Sequence, residues 1–300
     1  MRVRAETRRL IAPFAGGGEE ATVAVEPLRI GQVHFTSEMM ESSGGRLATI
    51  KVLTTPPSRW PLVPCPAYLV HHPAAGPFLV DTGLHPSVAA KPAANMGRLA
   101  ASFGRPMLEP GEDLPSQLRA RDIDPKAIRL VVMTHLHFDH SSGMSEFPNA
   151  TFVVTEPEWH FATTERRPLL HGYRPAHYDY AFDYRTLDYD GERIDSYSTF
   201  GRTFDLFGDG SVRLAFTPGH SAGHQAVICR LRERDLVIAG DAIYTYRQLE
   251  GGPEPLRPYD LHNWRRSLRE LQLFHHQYPQ AVILPGHDAE HFASLDDRYE

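Results

Sequence analysis

The chain has 300 residues, which suits one large domain or two small ones and suffices to bury a sizeable core. Its composition, 41% hydrophobic and 23% charged, is that of a globular protein, and a net charge of −6 argues against a phosphate-backbone binder, which would concentrate Lys and Arg. No apolar run approaches the roughly 20 residues of a membrane span, and no signal-peptide core follows the basic residues 1–10. Cys65 and Cys229 match no zinc-ribbon or disulfide-framework spacing, so unpaired thiols and a cytoplasmic setting are expected.

In chain order, residues 1–25 read as a flexible lead-in, broken by Gly16-Gly17-Gly18. Strands are expected over 28–35 and 48–53. Pro56, Pro57, Pro61, Pro64 and Pro66 then impose an extended, loop-rich stretch. A strand pair over 67–71 and 77–81 turns around 73–76, and its second member runs into Asp81-Thr82-Gly83. Residues 84–113, punctuated by Pro and Gly, define no element. A short helix is expected over 116–120 and a buried strand over 128–133. Residues 151–155 have strand character, and Thr155 with Glu158 forms a capping-box pattern that starts a helix. The stretch 165–199, rich in Tyr, His, Asp and Arg, is either a lid over a pocket or a long surface excursion. Strands follow over 211–216 and 235–239. Asp260 caps a helix with the apolar face Leu261, Trp264, Leu268 and Leu271, and 281–284 is a last strand. Two groups of strands with helices between them make an α/β fold of layered sheets, a single domain over 26–300.

Histidine is the unusual count, at 17, and placement decides its meaning. Four short apolar strands each end in metal-type ligands. One runs into His135-Leu136-His137-Phe138-Asp139-His140, one into Gly219-His220, one into Gly240-Asp241 and one into Gly286-His287. Ligands at strand ends sit on a rigid frame yet face an open sheet edge. His135 and His137, two apart in extended backbone, point the same way. Asp139 and His140 follow a bend and can face a second point, so one loop can serve two metals. His220 can complete the first site and His287 the second, while Asp241 can bridge both. Imidazole with carboxylate suits zinc, and also Mn, Fe or Co. His224 reads as a supporting group behind the ligands, and so does Asp81, which could hydrogen-bond a ligand histidine. His71, His72, His275, His276 and His291 show no ligand pattern.

The blocks 135–140, His220, Asp241 and His287 resemble the metallo-β-lactamase superfamily. The resemblance spans about residues 28–291. It implies an αββα sandwich with two divalent cations at its open edge: His135, His137 and His220 on one, Asp139, His140 and His287 on the other, and Asp241 bridging. The form His135-Leu136-His137-Phe138-Asp139-His140, the Tyr244 three residues after Asp241, and the ending Gly286-His287-Asp288-Ala289-Glu290 are similar to N-acyl-homoserine lactonases. In that family the matching Tyr contacts the substrate carbonyl.

The activity so implied is quorum-quenching hydrolysis of a lactone ring by a metal-bridging hydroxide. Tyr244 would stabilise the oxyanion and Asp139 would pass a proton to the leaving oxygen. Two other readings remain. One is a different hydrolase on the same site: a glyoxalase II-like thioesterase, an aryl or phosphotriester esterase, or a β-lactamase. The other is an iron oxidoreductase of the persulfide dioxygenase kind, which a complete second ligand set fits poorly. The expected partner is a small lactone or ester; nucleic acid and membrane are not expected, and a homodimer is left open.

Overall fold

The computed structural model describes residues 3–300. Seven strands make a first sheet: β1 (Thr7–Arg9), β2 (Ala24–His34), β3 (Leu62–His72), β4 (Gly76–Val80), β5 (Leu130–Val132), β6 (Thr151–Thr155) and β7 (Asp183–Leu187). Six make a second: β8 (Asp195–Tyr197), β9 (Phe200–Asp205), β10 (Val212–Phe216), β11 (Gln225–Arg230), β12 (Asp235–Gly240) and β13 (Val282–Pro285). Spatial orders are β1-β7-β6-β5-β4-β3-β2 and β13-β12-β11-β10-β9-β8. The centre of the first sheet, β4 to β7, is parallel, and the second is antiparallel except for β12 beside β13.

Period-two alternation builds the layers. Val132, Val153 and Val80 face Leu214, Val227 and Ile238 across the inter-sheet core. Their neighbours Val131, Val154 and Leu79 point outward, onto Leu114, Leu118 and Ala162 of helices. In the second sheet Ile228 and Val237 turn outward onto Trp264, Leu271 and Phe274 of the helix Leu261–Gln277. This is the expected αββα sandwich. Asp260 caps that helix by accepting from Asn263 N at 3.0 Å, although Leu261, in its first turn, stays 39% exposed. Among the described residues no helix is long and apolar enough to cross a membrane.

Several stretches differ from expectation, among them 84–113, which holds the helices Pro92–Met96 and Arg98–Gly104, and β9, absent from the expected strands. Residues 48–53 lie in the helix Gly45–Thr54, not a strand. The β-branched run suggested pleating, but the segment has no sheet partner, and local helical bonds satisfy its backbone instead. The lead-in is fastened rather than loose: β1 pairs with β7, Phe14 N donates to Leu206 O, and Val23 N donates to Arg230 O. Leu10 and Val23 are buried in the inter-sheet core. The 165–199 excursion divides, because its second half supplies β7 and β8. Its first half holds the short turns Pro168–His171 and Pro175–His177. Finally β11, absent from the expected strands, pairs with both β10 and β12.

Candidate metal centre

Each ligand-bearing segment leaves a strand at the same sandwich edge. After β5 the chain runs through Thr134 and His135, bends at His137, and enters the short helix Phe138–Ser141, which carries Asp139 and His140. Gln225 of β11 fixes this exit from the opposite sheet: its N donates to Thr134 O at 2.9 Å and its Nε2 donates to Met133 O at 2.9 Å. His220 follows β10, Asp241 follows β12, and His287 follows β13.

The seven expected residues converge. Each of the sets His135–His137–His220, His135–His140–Asp241 and Asp139–His140–His287 brings its ligand atoms within 4.8 Å of one another. His220 Nε2 lies 3.1 Å from His135 Nε2 and 2.9 Å from His137 Nδ1. His287 Nε2 lies 3.4 Å from Asp139 Oδ2. Asp241 stands between the groups. Its Oδ2 is 3.4 Å from His220 Nε2 and 3.2 Å from His287 Nε2, and its Oδ1 is 3.4 Å from His140 Nε2. Gly286 makes room for it, since a side-chain carbon there would collide with Asp241 Oδ1.

Supporting contacts decide which nitrogens are bare. His140 Nδ1 donates to Asp81 Oδ2 at 2.8 Å, and His287 Nδ1 donates to the Pro64 carbonyl at 2.9 Å. Thr134 Oγ1 gives its proton to Asp81 at 2.7 Å, so it can accept only from His135 Nδ1, 3.1 Å away. A neutral ring that donates through Nδ1 presents a lone pair at Nε2. Bare lone pairs 3.1 Å apart repel unless a cation lies between them. His140 Nε2 and Asp241 Oδ1 are also buried without a hydrogen-bond partner among the described residues. Burial above all pushes His135 and His220 well below the ordinary imidazole range, with neighbouring histidines adding to it and Asp241 opposing it. Burial would raise the Asp241 carboxyl, but His287, His220 and His140 hold it well below the usual carboxylate range. The donor set therefore fits divalent cations.

The supporting residues behave as the sequence suggested. Asp81 adopts a left-handed φ of 60° and also accepts from Thr134 N at 2.7 Å. That strained turn aims one carboxylate at both the strand end and His140. His224 Nε2 accepts from Asp241 N at 3.1 Å, and burial pushes its pKa down to about 3. Tyr244 is buried, with its hydroxyl 2.8 Å from His220 Nδ1. One residue escaped the sequence reading. Glu158, expected to complete a capping box, receives only half of one: its N donates to Thr155 Oγ1 at 3.2 Å, while its side chain turns to the ligand loops. A carboxylate set just after a buried strand was its one available signal.

Residues 60–287 match the model of the metallo-beta-lactamase superfamily. N-acyl homoserine lactonase AttM of Agrobacterium fabrum is 30% identical over 235 residues, 78% of this chain and 85% of the relative. An N-acyl homoserine lactonase of Bacillus cereus is 25% identical over 217 residues, 72% of this chain and 78% of the relative. A solved N-acyl homoserine lactone hydrolase, with product N-hexanoyl-L-homoserine at its catalytic metal centre, shares the fold. Its TM-score is 0.72 at 20% identity, covering 92% of this chain and 97% of that one. The chain is thus a metal-dependent hydrolase of the metallo-beta-lactamase superfamily, grouped with its N-acyl homoserine lactonase members.

Proposed function

We propose that this protein opens the ring of N-acyl homoserine lactones, in the biological sense of quorum quenching, with a pair of zinc ions as cofactor. The observation that carries the reading is Asp241 lying between two ligand groups, 3.4 Å from His220 and 3.2 Å from His287, with the Tyr244 hydroxyl against His220. His135, His137 and His220 would hold one cation; Asp139, His140 and His287 the other; Asp241 would serve both. Imidazole-rich donors with carboxylates suit zinc, although Mn, Fe or Co fit the same chemistry. Bound there, the cations supply an activated water and Lewis acidity toward the lactone carbonyl.

The chain's own residues then orient and protonate. With His220 Nδ1–H donating to the Tyr244 oxygen, the phenol proton is free to bond the substrate carbonyl oxygen. Burial pushes the Tyr244 pKa well up, so the proton stays available. It steadies the negative charge that develops on that oxygen. Asp139, at the rim of the ligand cluster, takes up the proton that the attacking water gives up and hands it to the departing ring oxygen as the C–O bond breaks. Both cysteines are buried and unpaired, in keeping with a reducing cytosol.

The test is a substrate panel on purified, zinc-loaded protein: homoserine lactones of several acyl lengths, a simple γ-lactone, a thioester, a phosphotriester and a β-lactam. Homoserine lactones should give the highest kcat/KM. A preference for the thioester, phosphotriester or β-lactam would overturn the substrate assignment. One iron per chain, in place of two zincs, would overturn the cofactor.

A further inference from the structure

Glu158 is fully buried, and no cationic side chain among the described residues pairs with it. Its four hydrogen bonds all come from neutral donors. Oε1 accepts from Leu136 N at 2.9 Å and from the Tyr173 hydroxyl at 2.9 Å. Oε2 accepts from Ser221 Oγ at 2.7 Å and from Gly223 N at 3.0 Å. An unpaired interior carboxylate is costly, so its surroundings need a reason to keep it.

The donors suggest one. Leu136 separates His135 from His137, and Ser221 follows His220. One carboxylate therefore ties together the two loops that carry the three-histidine group. Tyr173 adds the first half of the 165–199 excursion, and its ring stands edge-on to His137 at 4.7 Å. Gly223 lets its loop press onto Thr155 and Glu158, where a side-chain carbon would collide with both. The other group has different direct supports, Asp81 behind His140 and Pro64 behind His287, and Asp81 reaches His135 only through Thr134.

We propose that Glu158 is a positioning residue for the three-histidine half of the metal centre, setting the spacing of its two ligand loops and lending the cation there a compensating charge. This inference rests on the ligand assignment proposed above. It reaches beyond the metal ligands to a residue on the helix Glu156–Thr164.

Glu158→Gln tests it without changing side-chain volume. Each carboxylate oxygen receives one backbone N–H and one hydroxyl. A hydroxyl can rotate to meet an amide NH2, but a backbone N–H cannot. Whichever way the amide turns, Leu136 N or Gly223 N loses its acceptor. Cobalt(II) is titrated into metal-free protein against a competing chelator and followed by visible absorption, with H220A and H287A as spectral standards for each half. In E158Q, affinity should fall about tenfold or more for the half that H220A weakens. The half that H287A weakens should stay within about twofold. Wild-type affinity at both halves, or equal weakening of both, would overturn the proposal. If E158Q does not accumulate as folded protein, Ser221→Ala carries the same comparison with a smaller, still selective loss, and an unselective or absent loss overturns the proposal. Wild-type protein that binds fewer than two cobalt ions instead overturns the ligand assignment itself.

Discussion

The sandwich has a buried histidine–carboxylate cluster at each end, and the two differ in what they leave unsatisfied. β4 begins beside His72 and ends in Asp81, and β10 begins beside Asp209 and Ser211 and ends toward His220, so both strands run from one cluster to the other. In the first cluster every nitrogen is used. His72 Nδ1 accepts from Ala74 N at 3.2 Å and Ala75 N at 2.9 Å, and Nε2 lies 3.0 Å from both Asp209 Oδ2 and Ser211 Oγ. Gly17 N donates to the same Asp209 oxygen at 2.7 Å, which fastens the N-terminal segment. In the second cluster the outer nitrogens of His135, His140, His220 and His287 are spent on supports while the inner ones face each other bare. Residue type is the same at both ends; saturation separates a clasp from a binding site.

The largest expected effect breaks the binding end. His137→Ala should lose metal by more than the roughly 100-fold that a supporting residue costs, and nearly all turnover with it. Metal analysis and lactone turnover check this, and a metal-free variant of full activity would refute the ligand reading. Tyr244→Phe should lower lactone turnover by up to about 3 kcal/mol in barrier while retaining metal; the cations share the work, so the loss can be smaller. Unchanged turnover would reduce Tyr244 to a packing residue. Asp209→Ala breaks the clasp alone. It should cost about 2 kcal/mol of stability, read from chemical denaturation, with metal content and kcat unchanged. Burial would raise the Asp209 carboxyl, yet bonds from Ser211, Gly17 and His72 hold it down to about 2, below its ordinary 3.8. Its contribution is therefore complete above that ordinary value and fades as the pH falls toward 2. Wild type should lose stability across this acid window more steeply than Asp209→Ala, and parallel curves would show that the clasp does not depend on the charge.

What could be read from the chain follows from how local each signal is. His135 to His140 carry their meaning in adjacent residues, and the strands ahead of them alternate or run apolar, so the layered fold and the converging histidines and aspartates were visible together. The His72 clasp and the contacts of Glu158 were not. His72 showed no pattern because its partners, Asp209 and Ser211, lie far away in sequence. Glu158 looked like a helix-cap residue, since its true partners sit on loops that only the fold brings near. The 48–53 run misled because Ile50 and Val52 favour pleating, whereas no strand was available to pair with them. β7 hid inside the excursion because Asp183 and Arg185 alternate with buried Tyr184 and Thr186, a polar surface over a covered face.

β12 and β13 lie side by side in parallel, with Gly240 opposite Pro285 just before Asp241 and His287. The gap between the central carboxylate and one of its flanking imidazoles is thus gauged by a single inter-strand step, about 4.8 Å. The start of the intervening chain fastens the same gauge, since Gly286 N donates to Ile243 O at 3.1 Å and His287 N donates to Tyr244 O at 3.0 Å. The open turn at Gly251, between those bonds and the helix Leu261–Gln277, can be recomposed while the jig beneath keeps its dimensions.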